Sequence, residues 1–114
     1  MLVVKKEVLI YQTREGKAPF EEWLNSLSDR KAAAKIRVRI DRVRLGNFGD
    51  YRFVGEGVYE LRIDYGPGYR AYFIQEGKAV VILLCGGDKR TQSKDIHGAQ
   101  EYSIDYRRRK DETH

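Results

Sequence analysis

The sequence predicts an α+β domain, and two changes in hydrophobic periodicity along the chain indicate it. Apolar residues between positions 19 and 45 recur at helical spacing, whereas the segment from 51 to 85 has the pattern of short strands. A helical pattern returns between residues 92 and 109. A helical pair followed by a run of strands is typical of helices packed on an antiparallel sheet.

The first elements are a strand and a short helix. Residues 5–11 alternate loosely and predict the strand, and residues 13–16 a turn. Pro19 suits the first turn of a helix, where its missing N–H costs nothing. The apolar stripe of this helix has the i, i+3, i+4, i+7 spacing: Phe20, Trp23, Leu24 and Leu27.

A second helix is predicted from about Arg30 to Leu45. Ser28 or Asp29 can cap it, and Gly46 suits a left-handed end. Its apolar stripe is Ala33, Ile36, Ile40 and Val43. The other faces carry seven cations against the single acid Asp41: Arg30, Lys31, Lys35, Arg37, Arg39, Arg42 and Arg44. This basic surface is either a solvated face or a contact for nucleic acid or a partner.

Four strands and a last helix follow. The strands are predicted at Tyr51–Val54, Val58–Tyr65, Tyr69–Gln75 and Ala79–Cys85, and the helix at about Gln92–Arg109. The fold is therefore an N-terminal strand, a helical hairpin, an antiparallel four-strand meander and a C-terminal helix, within a single domain spanning residues 1–114.

The strands Val58–Tyr65 and Tyr69–Gln75 predict a charged sheet face. If Gly66–Gly68 is a three-residue loop, Tyr65 lies opposite Tyr69, and cross-strand partners share a face. One face would then carry Glu60, Arg62, Asp64, Arg70 and Tyr72, and the other Leu61, Ile63, Ala71 and Phe73. Arginine forks bind phosphate oxygens and tyrosines stack on bases, although ordinary cross-strand ion pairing fits the same residues.

The segment from Gly86 to Arg90 follows the most apolar strand and precedes a helix. Its glycines would let the backbone approach a ligand, and the helix start would offer N–H groups to an anion. A plain strand-to-helix turn fits equally, and no phosphate-loop spacing is present. Lys89 and Arg90 would lie beside the charged sheet face.

Composition favours a polyanion as the partner and argues against a metal site. The net charge is +5 and the pI is near 9.4, although an ordinary solvated surface gives similar values. Cys85 is the only cysteine and the histidines are His97 and His114, so we expect no disulfide, metal or other cofactor. Three charges soon interrupt the apolar N-terminus, so we expect no secretory signal or membrane span and a cytoplasmic protein.

Several blocks of the sequence resemble the phage-derived addiction-module killer proteins, a HigB-like family of the RelE/ParE toxin superfamily. The resemblance covers roughly residues 7–105 in matching order. Its blocks are Pro19–Leu24, Gly46–Asp50, Val58–Ile63, Gly66–Phe73 and Leu84–Gln92. It implies a toxin of a type II toxin–antitoxin system that cleaves mRNA in the ribosomal A site without a metal. It also implies a cognate helix-turn-helix, HigA-like antitoxin.

The resemblance also implies particular site residues. Arg70 matches the arginine that contacts the scissile phosphate, and Arg90 matches a second active-site arginine. Arg62 and Glu60 fall where RelE-type enzymes carry lysines, and His97 is similar to the C-terminal histidine of HigB-like toxins. Glu60 or His97 could then act as the base, and His97 or Lys89 as the acid. The RNA-binding candidates are Tyr69, Tyr72, Lys94, Arg37 and Arg39.

Two other functions fit the same sequence. A ParE-like inhibitor of DNA gyrase would share the fold without the nuclease, and the basic sheet face argues against it. A non-enzymatic nucleic-acid-binding module would use the basic second helix as its contact surface.

Overall fold

A five-stranded sheet with the strand order β1-β5-β4-β3-β2 forms the centre of the computed structural model, which describes residues 5–113. Residues 1–4, on which the expectation about the N-terminus partly depends, lie outside the described residues. The elements in chain order are β1 (Glu7–Ile10), α1 (Pro19–Ser26), α2 (Arg30–Arg44), β2 (Tyr51–Gly55), β3 (Val58–Ile63), β4 (Tyr69–Glu76), β5 (Val80–Asp88), a 3-10 turn (Lys89–Thr91) and α3 (Gln92–Glu112). Strands β2 to β5 form the antiparallel meander, and β1 pairs in parallel with β5. The predicted α+β class and element order are confirmed.

Local signals in the sequence set the ends of α2. The Asp29 side chain accepts a hydrogen bond from the Ala32 backbone N–H at 3.1 Å, which satisfies one free donor of the first turn. At the other end, Gly46 adopts a left-handed φ of 88°. The Gly46 N–H donates to the Val43 carbonyl and the next N–H to the Arg42 carbonyl, at 2.8 and 2.9 Å. These bonds make a Schellman ending, as the glycine predicted.

One face of the sheet is covered by α1 and α2. Every second side chain of β3 and β4 points to this face and packs against the apolar stripes of the two helices. The shared core includes Phe20, Ile36, Ile40, Leu61, Ile63, Ala71 and Phe73. Each large side chain buried here stabilises the fold by about 1.5–3 kcal/mol. The predicted inward face of the hairpin is therefore confirmed.

The opposite face is covered by α3. A second core lies between this helix and the sheet, and it includes Tyr11, Tyr72, Ile74, Ile82, Leu84 and Ala99. Ser103, also on the inner side of α3, is fully buried and donates a hydrogen bond to the Glu56 carbonyl at 2.8 Å. The expectation that the charged sheet face is available to phosphates and bases is therefore wrong over most of that face.

The β3–β4 hairpin has a longer loop than predicted. Strand β3 ends at Ile63, so that Ile63 lies opposite Tyr69 and Arg62 lies opposite Arg70. Tyr65, expected as the last strand residue, instead lies in the loop. The Lys35 ammonium group lies over the Tyr65 ring, with Nζ 5.0 Å from the ring centroid. The predicted register was wrong by two residues. Since side chains alternate with period two, the shift leaves each strand residue on its predicted face.

Strand β5 ends three residues later than predicted, at Asp88, and Gly86 and Gly87 lie within it. Neither glycine forms part of a ligand-binding turn. Gly86 lies against the Trp23 ring on the α1 side, and Gly87 lies against the Asp95 carboxylate at the start of α3. The absence of side chains at these positions lets both helices approach β5 closely.

Replacing Gly86 with alanine tests this close packing. A Cβ atom at Gly86 would overlap the Trp23 ring, so we expect Gly86→Ala to lower the free energy of unfolding by about 1–3 kcal/mol. Gly98→Ala is the matched control, because a Cβ there meets open space within α3 and should add about 0.5–1 kcal/mol. Urea denaturation measures both changes. A Gly86→Ala midpoint equal to that of the parent would contradict the packing argument.

Candidate active site

A cationic cleft of about 250 Å³ lies at the end of the β3–β4 pair. Its lining residues are Asp50, Arg62, Ile63, Asp64, Gly68, Arg70 and Lys89. Arg62 and Arg70 are direct cross-strand neighbours, an arrangement of like charges that destabilises a sheet unless anions compensate it. The cleft therefore contains two adjacent arginines whose mutual repulsion destabilises the β3–β4 pair unless anions compensate it.

Arg62 is the more exposed of the two arginines. Its side chain is 39% exposed, and its Nη2 lies 3.3 Å from Asp50 Oδ1. Asp50 is held there by the backbone, because the Arg62 N–H donates to the Asp50 carbonyl at 2.9 Å. Asp50 was not among the site residues predicted from the sequence. The one sequence feature that pointed to Asp50 was its position directly before the predicted strand Tyr51–Val54, which pairs with β3.

Arg70 is more buried than Arg62. Its side chain is 11% exposed, and its Nε lies 3.6 Å from Glu60 Oε2. The Nη1 end of the same guanidinium lies beside Gly68 at the cleft. Arg70 therefore reaches from the interior of the protein to the cleft wall.

Glu60 lies in the interior and not on an open face. It is fully buried, and its carboxylate accepts hydrogen bonds from Arg52 Nε at 2.9 Å, Tyr72 Oη at 3.0 Å and Gln92 Nε2 at 2.9 Å. Burial by itself raises the pKa of this carboxyl, but the three hydrogen bonds outweigh burial and hold the pKa below its ordinary value. The geometry does not support Glu60 as the base, because a buried, fully engaged carboxylate cannot reach a ribose hydroxyl.

The two tyrosines expected to stack on bases are buried. Tyr72 is 0% exposed beneath α3, where burial and the neighbouring Glu60 carboxylate raise the pKa of its phenol. Tyr69 lies on the other face, edge-on to Trp23 with ring centroids 6.3 Å apart. The expectation that these rings are available to RNA was wrong, because helices cover both faces of the sheet.

Lys89 and Arg90 differ in position. Lys89 is exposed and lines the cleft next to Gly68. Arg90 is 79% exposed and turns back onto Asp88, with Nη2 at 2.9 Å from Oδ2. The Asp88 carboxylate also accepts from the Arg90 backbone N–H at 2.9 Å. Arg90 is not among the described residues that line the cleft, and its guanidinium is bound to Asp88, so the structure does not bring Arg90 together with Arg62 and Arg70.

The remaining candidates lie on helix surfaces. His97 and Lys94 are exposed on the first turns of α3, and His97 Nε2 lies 3.4 Å from Glu101 Oε1. Arg37 is exposed on α2. Arg39 is not free for RNA, since it donates to the carbonyl oxygens of Arg62, Phe48 and Asp50 and thereby holds the loop before β2. Burial lowers the pKa of the Arg39 guanidinium.

The described part of the chain offers no cluster of three His, Cys, Asp or Glu side chains suited to a metal ion. In the same residues, no helix is long and apolar enough to cross a membrane. The chemistry that the cleft can perform with its own groups is the binding of an anion by Arg62, Arg70 and Lys89. The exposed carboxylates of Asp50 and Asp64 lie in the same cleft.

Fold and cleft together define a small α+β protein with a RelE-like arrangement and a cleft lined by Arg62, Arg70 and Lys89 at the end of its central strands. Residues 22–102 match the family described as Phage derived protein Gp49-like (DUF891), and the chain belongs to this family, which is associated with RelE- and toxin-like proteins. A protein of Haemophilus influenzae, described as an uncharacterized protein, is 53% identical over 81 residues. The match covers 71% of this chain and 82% of that relative.

Cys85 provides a test of the interior beside the site. Burial, with a smaller effect of Asp95, raises the pKa of the Cys85 thiol from 9.0 to about 12. At about pH 8 this reduces the thiolate fraction roughly 10³-fold, so we expect alkylation of the native protein to be at least that much slower than alkylation in urea. The native rate should keep rising with pH beyond pH 9, where the unfolded rate levels off. Comparable rates in the two states at pH 8 would show an accessible, acidic thiol instead.

Proposed function

We propose that the protein is the toxin of a type II toxin–antitoxin pair and acts in the cytoplasm as a ribosome-dependent, metal-independent mRNA endoribonuclease of the HigB-like kind. The observation that carries the proposal is the convergence of Arg62, Arg70 and Lys89 on one cleft. Membership of a family associated with toxin-like proteins supports the same function. A helix-turn-helix, HigA-like antitoxin is the proposed partner.

The proposed reaction uses the RNA's own ribose as the nucleophile. The 2′-oxygen attacks the adjacent phosphorus while the bond from phosphorus to the 5′-oxygen breaks, leaving a 2′,3′-cyclic phosphate. Arg70 and Arg62 stabilise the extra negative charge on the phosphorane. An exposed carboxylate of the cleft, Asp50 or Asp64, takes the 2′-OH proton, and Lys89 donates a proton to the 5′-oxygen.

The role of the ribosome in this proposal is to hold the mRNA against the cleft. Fixing the mRNA in a cleavable geometry can contribute a large part of the rate. Attraction to ribosomal RNA comes from the exposed cations of α2, which include Arg37, Lys31, Lys35 and Arg42. Lys94, Arg90 and His97 are exposed near the start of α3 and are proposed to contact RNA that continues beyond the cleft.

A non-enzymatic RNA-binding module is the second candidate. The described residues that line the cleft include no histidine, the side chain that most often transfers protons in enzymes. This observation favours binding over catalysis if the ribosome does not supply the missing alignment. Binding without cleavage of ribosome-bound mRNA would identify this function.

Expression of the chain alone tests the toxin function. We expect growth arrest with new mRNA 5′ ends inside coding regions, and relief when the proposed antitoxin is supplied. Arg70→Ala serves as the inactive control, because it removes one of the cations that line the cleft. Sequencing of 5′ ends measures cleavage, and a supercoiling assay distinguishes inhibition of gyrase. Unchanged growth, translation and mRNA integrity would contradict the toxin proposal.

Single-turnover kinetics on programmed ribosomes test the role of Arg70. The phosphorane carries more charge than the ground-state phosphodiester, so Arg70 should contribute to the rate more than to binding. We expect Arg70→Ala to slow cleavage by about 10²–10³-fold with little change in ribosome affinity. Arg62→Ala should act similarly, and the double variant should lose less than the product of the two effects.

Arg108→Ala is the matched control for these kinetics, because Arg108 is an exposed arginine near the end of α3 and its loss gives the same change in net charge. It should retain the parent rate. A folded Arg70→Ala protein that cleaves mRNA at the parent rate would remove Arg70 from the active site.

A further inference from the structure

We infer that Glu60 is a positioning residue for Arg70, a role that rests on the proposed function. The buried carboxylate fixes one end of the Arg70 guanidinium so that the other end faces the cleft. Glu60 does not itself touch RNA or transfer a proton in this assignment.

The first observation is the enclosure of the Glu60 carboxylate by three other elements. Arg52 donates from β2, Tyr72 from β4 and Gln92 from α3, at 2.9, 3.0 and 2.9 Å. Gln92 and Tyr72 bind the same oxygen, Oε2, which is also the oxygen nearest to Arg70. The position of Oε2 is therefore fixed by bonds from two different elements.

The second observation concerns Arg70 itself. Among residues 5–113, the Glu60 carboxylate is the anionic group within ion-pair distance of the Arg70 side chain. Its Oε2 lies 3.6 Å from Arg70 Nε. The buried Arg70 Nε has no hydrogen-bond partner at this distance. Arg62 lies directly opposite and repels Arg70. Attraction to Glu60 counteracts this repulsion, so loss of the buried charge should let the Arg70 side chain move within the cleft.

The third observation excludes the simpler role of Glu60 as the base. The side chain has no exposed surface, and both carboxylate oxygens already accept hydrogen bonds from protein donors. A ribose hydroxyl could reach it only after displacement of α3 or β2. Glu60 can therefore influence the reaction only through the groups that it holds.

Glu60→Gln in the full chain is the direct test, since it keeps the size of the side chain and removes its charge. We expect the single-turnover rate on saturating ribosomes to fall about 10²-fold, the scale of misplacing a catalytic group by about 1 Å. The ribosome concentration for half-saturation should stay unchanged. Glu7→Gln, which removes an exposed carboxylate on β1, is the matched control and should retain the parent rate.

The double variant separates positioning from general structural damage. If Glu60 acts through Arg70, then Glu60→Gln with Arg70→Ala should be no slower than Arg70→Ala alone. Independent, multiplying losses would overturn the inference. Gln92→Ala removes one donor to Oε2 from a half-buried position and should lower the rate in the same direction, which keeps the test available if Glu60→Gln does not fold.

An NMR measurement decides the inference independently of cleavage. The Arg70 Nε–H signal is identified by its absence in Arg70→Ala. We expect this proton to exchange slowly with solvent in the parent and faster in Glu60→Gln and Gln92→Ala. An unchanged signal in the folded variants would overturn the positioning role even if the parent cleaves mRNA. A parent that never cleaves mRNA but shows the expected exchange would refute the proposed function and retain the link between Glu60 and Arg70.

Discussion

The covering of the sheet by helices on both faces is the constraint on which the rest of the structure depends. With α1 and α2 on one face and α3 on the other, the polar groups of β3 and β4 reach solvent only where these strands end. Arg62 and Arg70 lie at that end and line the cleft, whereas Glu60 and Tyr72, two residues further inside, are fully buried. A spacing of two residues along each strand therefore separates an arginine that lines the cleft from a side chain in the interior.

The buried carboxylate and the cleft arginines depend on one another. Removing a carboxylate from water costs several kcal/mol unless donors replace the water, and Glu60 finds hydrogen bonds from Arg52, Tyr72 and Gln92. Two adjacent arginines would be unfavourable without such an anion. The arrangement contributes little net stability by this reasoning. In the proposed function, it provides a defined position for Arg70, and a defined position is what electrostatic catalysis requires.

The sequence was sufficient for those features that depend on neighbouring residues. The capping of α2 by Asp29 and its termination at Gly46 follow from local backbone chemistry, and the faces of β3 and β4 follow from alternation, which survived a register error of two residues. The burial of Tyr72 could not be predicted in this way. It depends on where α3 packs, and the apolar residues of α3 indicate a buried side without indicating which surface covers it.

The pair Gly86 and Gly87 shows how such long-range packing reaches the site. Glycines after a strand suggest a ligand approaching the backbone, but here Trp23 and Asp95 occupy the space on the two sides of the strand. Because Gly87 has no side chain, the first turn of α3 can lie directly on β5. That approach brings Gln92 to within 2.9 Å of the Glu60 carboxylate, on the oxygen that faces Arg70. Gly87 thus influences the surroundings of Glu60 through helix packing, although it does not line the cleft.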